Sequence, residues 1–118
     1  MLKIDTTFNP FRLKLGRKEP IQLKVEIRNM NDEDVMLSYD VAVSRSLSLD
    51  KGGFKTSVGK REGKIEPGQR VMAYFDIYPK AMTREGTYPL IIRATEHYKS
   101  YDLIEKEYKK KLEIKVDA

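Results

Sequence analysis

Between Ile65 and Glu96 the chain spells out two alternating runs, each introduced by a turn. Ile65-Glu66-Pro67-Gly68 turns the backbone. Val71, Ala73, Phe75 and Ile77 then alternate with Met72, Tyr74, Asp76 and Tyr78, and Pro79 ends the run. After Glu85-Gly86-Thr87-Tyr88, residues Leu90, Ile92 and Ala94 alternate with Ile91, Arg93 and Thr95. Successive side chains of a strand leave on opposite sides, so this pattern demands a sheet with one buried and one outward face. Such a sheet is satisfied by packing face to face with a second one.

The same period recurs through the chain. Leu2, Ile4, Thr6 and Phe8 predict a first strand that Asn9-Pro10 breaks, with Leu13 and Leu15 as a short continuation. Ile21, Leu23, Val25 and Ile27 alternate strictly with Gln22, Lys24, Glu26 and Arg28. A polar turn follows at residues 29–34, then Val35, Leu37, Tyr39, Val41 and Val43. From Ser44 to Lys64 the pattern dissolves into Ser, Gly and Lys, and Leu47, Leu49, Phe54 and Val58 allow one or two short edge strands. Residues 97–111 predict a long hairpin with its tip near Asp102, because Tyr98, Tyr101 and Tyr108 favour strands over helix. Leu112, Ile114 and Val116 close the chain.

About seven antiparallel strands in two sheets result, an all-β immunoglobulin-like sandwich spanning residues 1–118 as a single domain. The expected inner face carries Leu23, Val25, Ile27, Leu37, Tyr39, Val41, Phe75, Ile77, Leu90, Ile92, Leu112 and Ile114. A chain of 118 residues has room for one such core.

Cysteine is absent, which excludes disulfides and thiolate metal sites. Charged residues make up 35% of the chain, a composition common in thermophile proteins with mixed surface charges. The net charge of +5 is uneven. Residues 1–20 hold five basic and two acidic side chains, and residues 45–64 hold six and two. No apolar run is long enough to cross a bilayer, and no secretory leader is visible, so the default expectation is a cytoplasmic chain with no membrane insertion.

The order of Glu19-Pro20, Leu23-x-Val25-x-Ile27-x-Asn29, Ile65-x-Pro67-Gly68 and Gly86-x-Tyr88-x-Leu90-x-Ile92-x-Ala94 resembles a known group. It is that of the immunoglobulin-like accessory domains of bacteria and archaea: cell-adhesion-related (CARDB-like) and alpha-galactosidase-associated domains. Transglutaminase C-terminal domains share the pattern. The resemblance runs from Ile4 to Val116 and implies a sandwich without catalytic residues or cofactor. It also implies that Tyr88 is a corner tyrosine whose hydroxyl bonds upstream backbone. Members usually sit in larger secreted proteins and mediate adhesion or binding.

Candidate sites follow from residue chemistry. Lys55, Lys60, Arg61 and Lys64 lie in a glycine-rich basic stretch, expected as a solvated connection, where they could meet phosphates. It is not a phosphate loop, because the glycine spacing is wrong and Arg61 stands where a hydroxyl would hold magnesium. His97 is the only histidine, and Glu96 or Asp102 would have to complete a metal site around it. The acidic turn at Asp32-Glu33-Asp34 lacks calcium-loop spacing. Ser44, Ser46, Ser48 and Ser57 lack a nucleophile context. Tyr74, Tyr78, Tyr98, Tyr101 and Tyr108 are candidates for a partner-binding surface.

The sequence therefore predicts a non-enzymatic interaction or structural domain. A protein partner or self-association through an edge strand or sheet face ranks first. A carbohydrate on the tyrosines ranks second, with an anion or nucleic acid at residues 51–64.

Overall fold

Nine strands form where seven are expected in the computed structural model, which describes residues 1–10, 12–17 and 19–118. They are β1 (Leu2–Asn9), β2 (Leu13–Lys14), β3 (Ile21–Asn29), β4 (Val35–Val43), β5 (Leu47–Ser48), β6 (Ser57–Ile65), β7 (Arg70–Pro79), β8 (Gly86–His97) and β9 (Ile104–Asp117). The surplus is the two-residue strands β2 and β5, too short to carry a period. The one helical turn among the described residues is the 3-10 turn Leu15–Arg17, and no helix is long and apolar enough to cross a membrane.

The strands make two sheets. One runs β1-β3-β7-β5 and the other β2-β9-β8-β4-β6. Pairing is antiparallel except between β2 and β9, which run parallel at Leu13–Val116 and Lys14–Asp117. That pair corrects the expectation of a wholly antiparallel fold. Leu13, read as a continuation of the first strand, lies instead in the opposite sheet and is fully buried there.

The core lies between the sheets, as the alternation requires. Every expected inner residue faces it; Phe75 and Leu112 are only partly buried, the others fully. Tyr88 is the expected corner: its hydroxyl donates to the Arg84 carbonyl at 2.6 Å. The turn of the last hairpin falls between His97 and Ile104, around Asp102.

The basic stretch is corrected. Residues 57–65 are not a loose connection but strand β6, hydrogen-bonded along β4 and forming the edge of the five-stranded sheet. A bulge interrupts it: Leu37 pairs with Gly63 and Ser38 with Arg61, leaving Glu62 as the extra residue.

One polar group is buried at the end of the sandwich. Asn29 occupies the inward position after Ile27 and is wholly inaccessible. Its side-chain amide donates to the carbonyls of Glu33 (2.9 Å) and Ile65 (3.2 Å). Its oxygen accepts from the Asn31 backbone N–H (2.9 Å) and side-chain amide (3.0 Å). The side chain thus ties the β3–β4 turn to the end of β6.

Candidate interaction surfaces

The four-stranded sheet turns Tyr74 outward from β7, in register with Lys24 of β3 and Thr7 of β1. Met72 occupies the next outward position, in register with Glu26 and Asp5. Tyr74 is 57% and Met72 46% exposed. Arg70 pairs with Glu26 at 3.3 Å beside them. Tyr78 shares this strand, opposite Ser48 of β5, and is half-buried.

Tyr101 belongs to the β8–β9 turn and reaches over the other sheet. Its hydroxyl accepts from the Gly63 N–H at 2.8 Å, beside the bulge. Arg61 stacks on its ring at 4.7 Å, and His97 meets it edge-on at 5.0 Å. His97 Nε2 lies 2.6 Å from Ser38 Oγ. His97 Nδ1 is buried and has no hydrogen-bond partner among the described residues. The Gly63–Tyr101 hydrogen bond and the Arg61 stack clamp the hairpin turn to β6.

The other tyrosines lie apart. Tyr98 is exposed in the turn beside Lys99, whose φ of 66° is the left-handed conformation of a tight reversal. Tyr108 faces inward opposite Ala94, with its hydroxyl 3.4 Å from Glu96. The five candidate tyrosines thus divide between the outer face of one sheet, the hairpin turn of the other and the edge of the core.

The basic candidates also divide. Lys55 precedes β6, where its backbone N–H donates to Asp50 Oδ1 at 2.8 Å. Lys60 is in register with Tyr39, on the inner-face side, and pairs with Glu62 at 3.2 Å. Arg61 and Lys64 are in register with Ser38 and Met36, on the outer face. Burial, and secondarily the charge and hydrogen bond of Glu62, pushes the Tyr39 hydroxyl up to about 12. Nearby, Asp40 takes a fork of hydrogen bonds from Arg93 at 2.9–3.2 Å, which raises the guanidinium's hold on its proton.

Glu96, considered as a partner for His97 in a metal site, points the opposite way. It is nearly inaccessible and holds the Asn31 amide at 2.9 Å and the terminal ammonium at 3.6 Å. No cluster of three or more His, Asp or Glu side chains able to hold a metal occurs among the described residues.

Two features escaped the sequence. Asn29 had a signal, being a polar residue on the inward phase of a strict alternation. The second is the open edge of β1, where Lys110 reaches across from β9 and donates to the Ile4 carbonyl at 3.1 Å. Which strand ends a sheet depends on pairings that no local pattern encodes.

No family model matches the sequence, and no curated protein matches it significantly. Solved structures do. Native Escherichia coli alpha-2-macroglobulin, from domain MG7 to the C-terminus, matches at a TM-score of 0.73 and 14% identity, over 98% of this chain and 16% of that one. The chain has the fold of an immunoglobulin-like domain. A FixG-related protein from Vibrio parahaemolyticus matches at 0.62 and 12% identity, over 99% and 97% of the two chains. The CARDB domain of a Pyrococcus furiosus protein, solved in complex with di-metal ions, matches at 0.61 and 16%, over 99% and 93%. The resemblance carried by the sequence motifs is thus met in three dimensions. This chain spans only a small part of the macroglobulin, whereas it matches nearly the whole of the other two.

Proposed function

We propose that residues 1–118 form one non-enzymatic domain that binds protein through the open flank of its four-stranded sheet. The observation that supports this is the adjacency of Met72 and Tyr74 on that sheet's outer face, two strands from the free edge of β1. Methionine and aromatic side chains are enriched where proteins meet, and a free edge offers unpaired backbone groups to a partner. The fold shared with immunoglobulin-like domains agrees with a binding role.

The test is capture from a lysate of the source organism on immobilised chain, washed at low and then high salt. A Met72→Ser/Tyr74→Ser variant is run alongside. A protein held through high salt by the native chain and lost by the variant supports the proposal. Nucleic acid released by salt would shift the function to Lys55, Lys60, Arg61 and Lys64, and contradict it. Recovery of nothing, by a chain that also fails to self-associate, would contradict it as well.

A further inference from the structure

Four strands end the two sheets, and they are unequal. β2 and β5 have two residues each. β6 carries a bulge and the basic side chains Lys60, Arg61 and Lys64, devices that discourage pairing. β1 runs eight residues in unbroken register with β3, and among the described residues no strand pairs with its other side, where only the Lys110 ammonium reaches the Ile4 carbonyl.

The hydrogen-bond phase of that free side is fixed. Met30 N–H donates to the Met1 carbonyl at 2.8 Å, so this is a hydrogen-bonded pair. Such pairs alternate along an antiparallel ladder. Lys3, Asp5 and Thr7 therefore bond to β3, while Leu2, Ile4, Thr6 and Phe8 turn N–H and C=O outward. The Lys110 ammonium on the Ile4 carbonyl confirms that this oxygen points away from β3.

We propose that the β1 strands of two copies of this chain pair antiparallel about a two-fold axis at Ile4, joining two four-stranded sheets into one of eight. The proposal rests on the interaction-domain reading and names its partner and register. Charge selects the register. With Ile4 opposite its own copy, Lys3 faces the partner's Asp5 and Asp5 faces the partner's Lys3. These are non-hydrogen-bonded positions, where opposed side chains come closest.

A slip of two residues one way sets Lys3 against Lys3, and the other way Asp5 against Asp5. A further slip of two in the latter direction sets Asp5 against Thr7 and leaves no charge pair. An odd slip puts apolar side chains on the wrong face. In the free chain Lys3 and Asp5 of one strand lie 4.0 Å apart and more than half exposed, free to exchange partners. The Ile4 carbonyl has a second lone pair for the partner's N–H while Lys110 keeps the first.

Sedimentation velocity across a concentration series tests this with Lys3→Glu, Asp5→Lys and the double swap. Both side chains are exposed, so the variants fold. The native chain should dimerise, each single variant should weaken dimerisation by about tenfold, and the swap should restore it. A native chain that stays monomeric at every concentration overturns the β1 pairing. The capture experiment then decides the broader reading separately. A native dimer indifferent to both single variants also overturns it, because its interface is not this register.

Discussion

The side-chain amide of Asn29 donates to the backbone carbonyl of Ile65 at 3.2 Å, across 36 residues of chain. With the bonds to Glu33 and Asn31, it uses every polar atom of a fully buried side chain. Removing it leaves buried carbonyls and an N–H without partners, the expensive direction for a hydrogen bond. Asn29→Ala is expected to cost about 2–4 kcal/mol in urea unfolding. Asn29→Asp should not rescue it, since a carboxylate would face the two carbonyls that the amide now satisfies.

The strand β7 offers a graded test of its faces. Ile77 is wholly buried, whereas Phe75 on the same face is only partly covered near the middle of the strand. Ile77→Ala should cost about 2–5 kcal/mol, and Phe75→Ala should fall short of the ~3–5 kcal/mol of a fully buried phenylalanine. Tyr74→Ala, on the outer face, should change stability by no more than about 0.5 kcal/mol. A larger loss at Tyr74 than at Phe75 would show the faces to be inverted.

How much of this was legible follows from where each strand sits. β3, β4 and β7 each have a buried and an outward face, so the alternation of Ile21–Ile27, Val35–Val43 and Val71–Ile77 places both the strand and its core side. Tyr88 was legible because the corner depends on a short-range bond to Arg84. β6 was not. It buries only Ile65, carries two glycines and four charges, and shifts its phase at Glu62. It is a strand because β4 pairs with it. The split of the candidate tyrosines and lysines between faces was hidden for the same reason, since it depends on the bulge and on the path of the β8–β9 turn.

Alkaline pH should weaken the fold through Tyr39. Its hydroxyl ionises near 10 when exposed and at about 12 in the folded chain. The folded state therefore holds this proton more tightly. The contribution is whole below pH 10 and is lost as pH rises from 10 through 12. Unfolding midpoints measured at pH 9 and pH 11 should fall less in Tyr39→Phe than in the native chain.

The corner hydroxyl of Tyr88 gives a smaller effect. Tyr88→Phe deletes one hydrogen bond at an exposed turn and should cost about 0.5–1.5 kcal/mol in thermal or urea unfolding. The sandwich and its β8–β9 hairpin should otherwise persist, as judged by far-UV circular dichroism.

Amide hydrogen exchange at several protein concentrations reads out association of this sandwich through the open edge of β1. The outward N–H groups of Leu2, Ile4 and Thr6, which this register sets opposite Thr6, Ile4 and Leu2 of the second copy, should become protected as concentration rises. Those of Lys3, Asp5 and Thr7, already bonded to β3, should exchange slowly throughout. Exchange at these three outward amides that stays fast and independent of concentration would contradict pairing through β1.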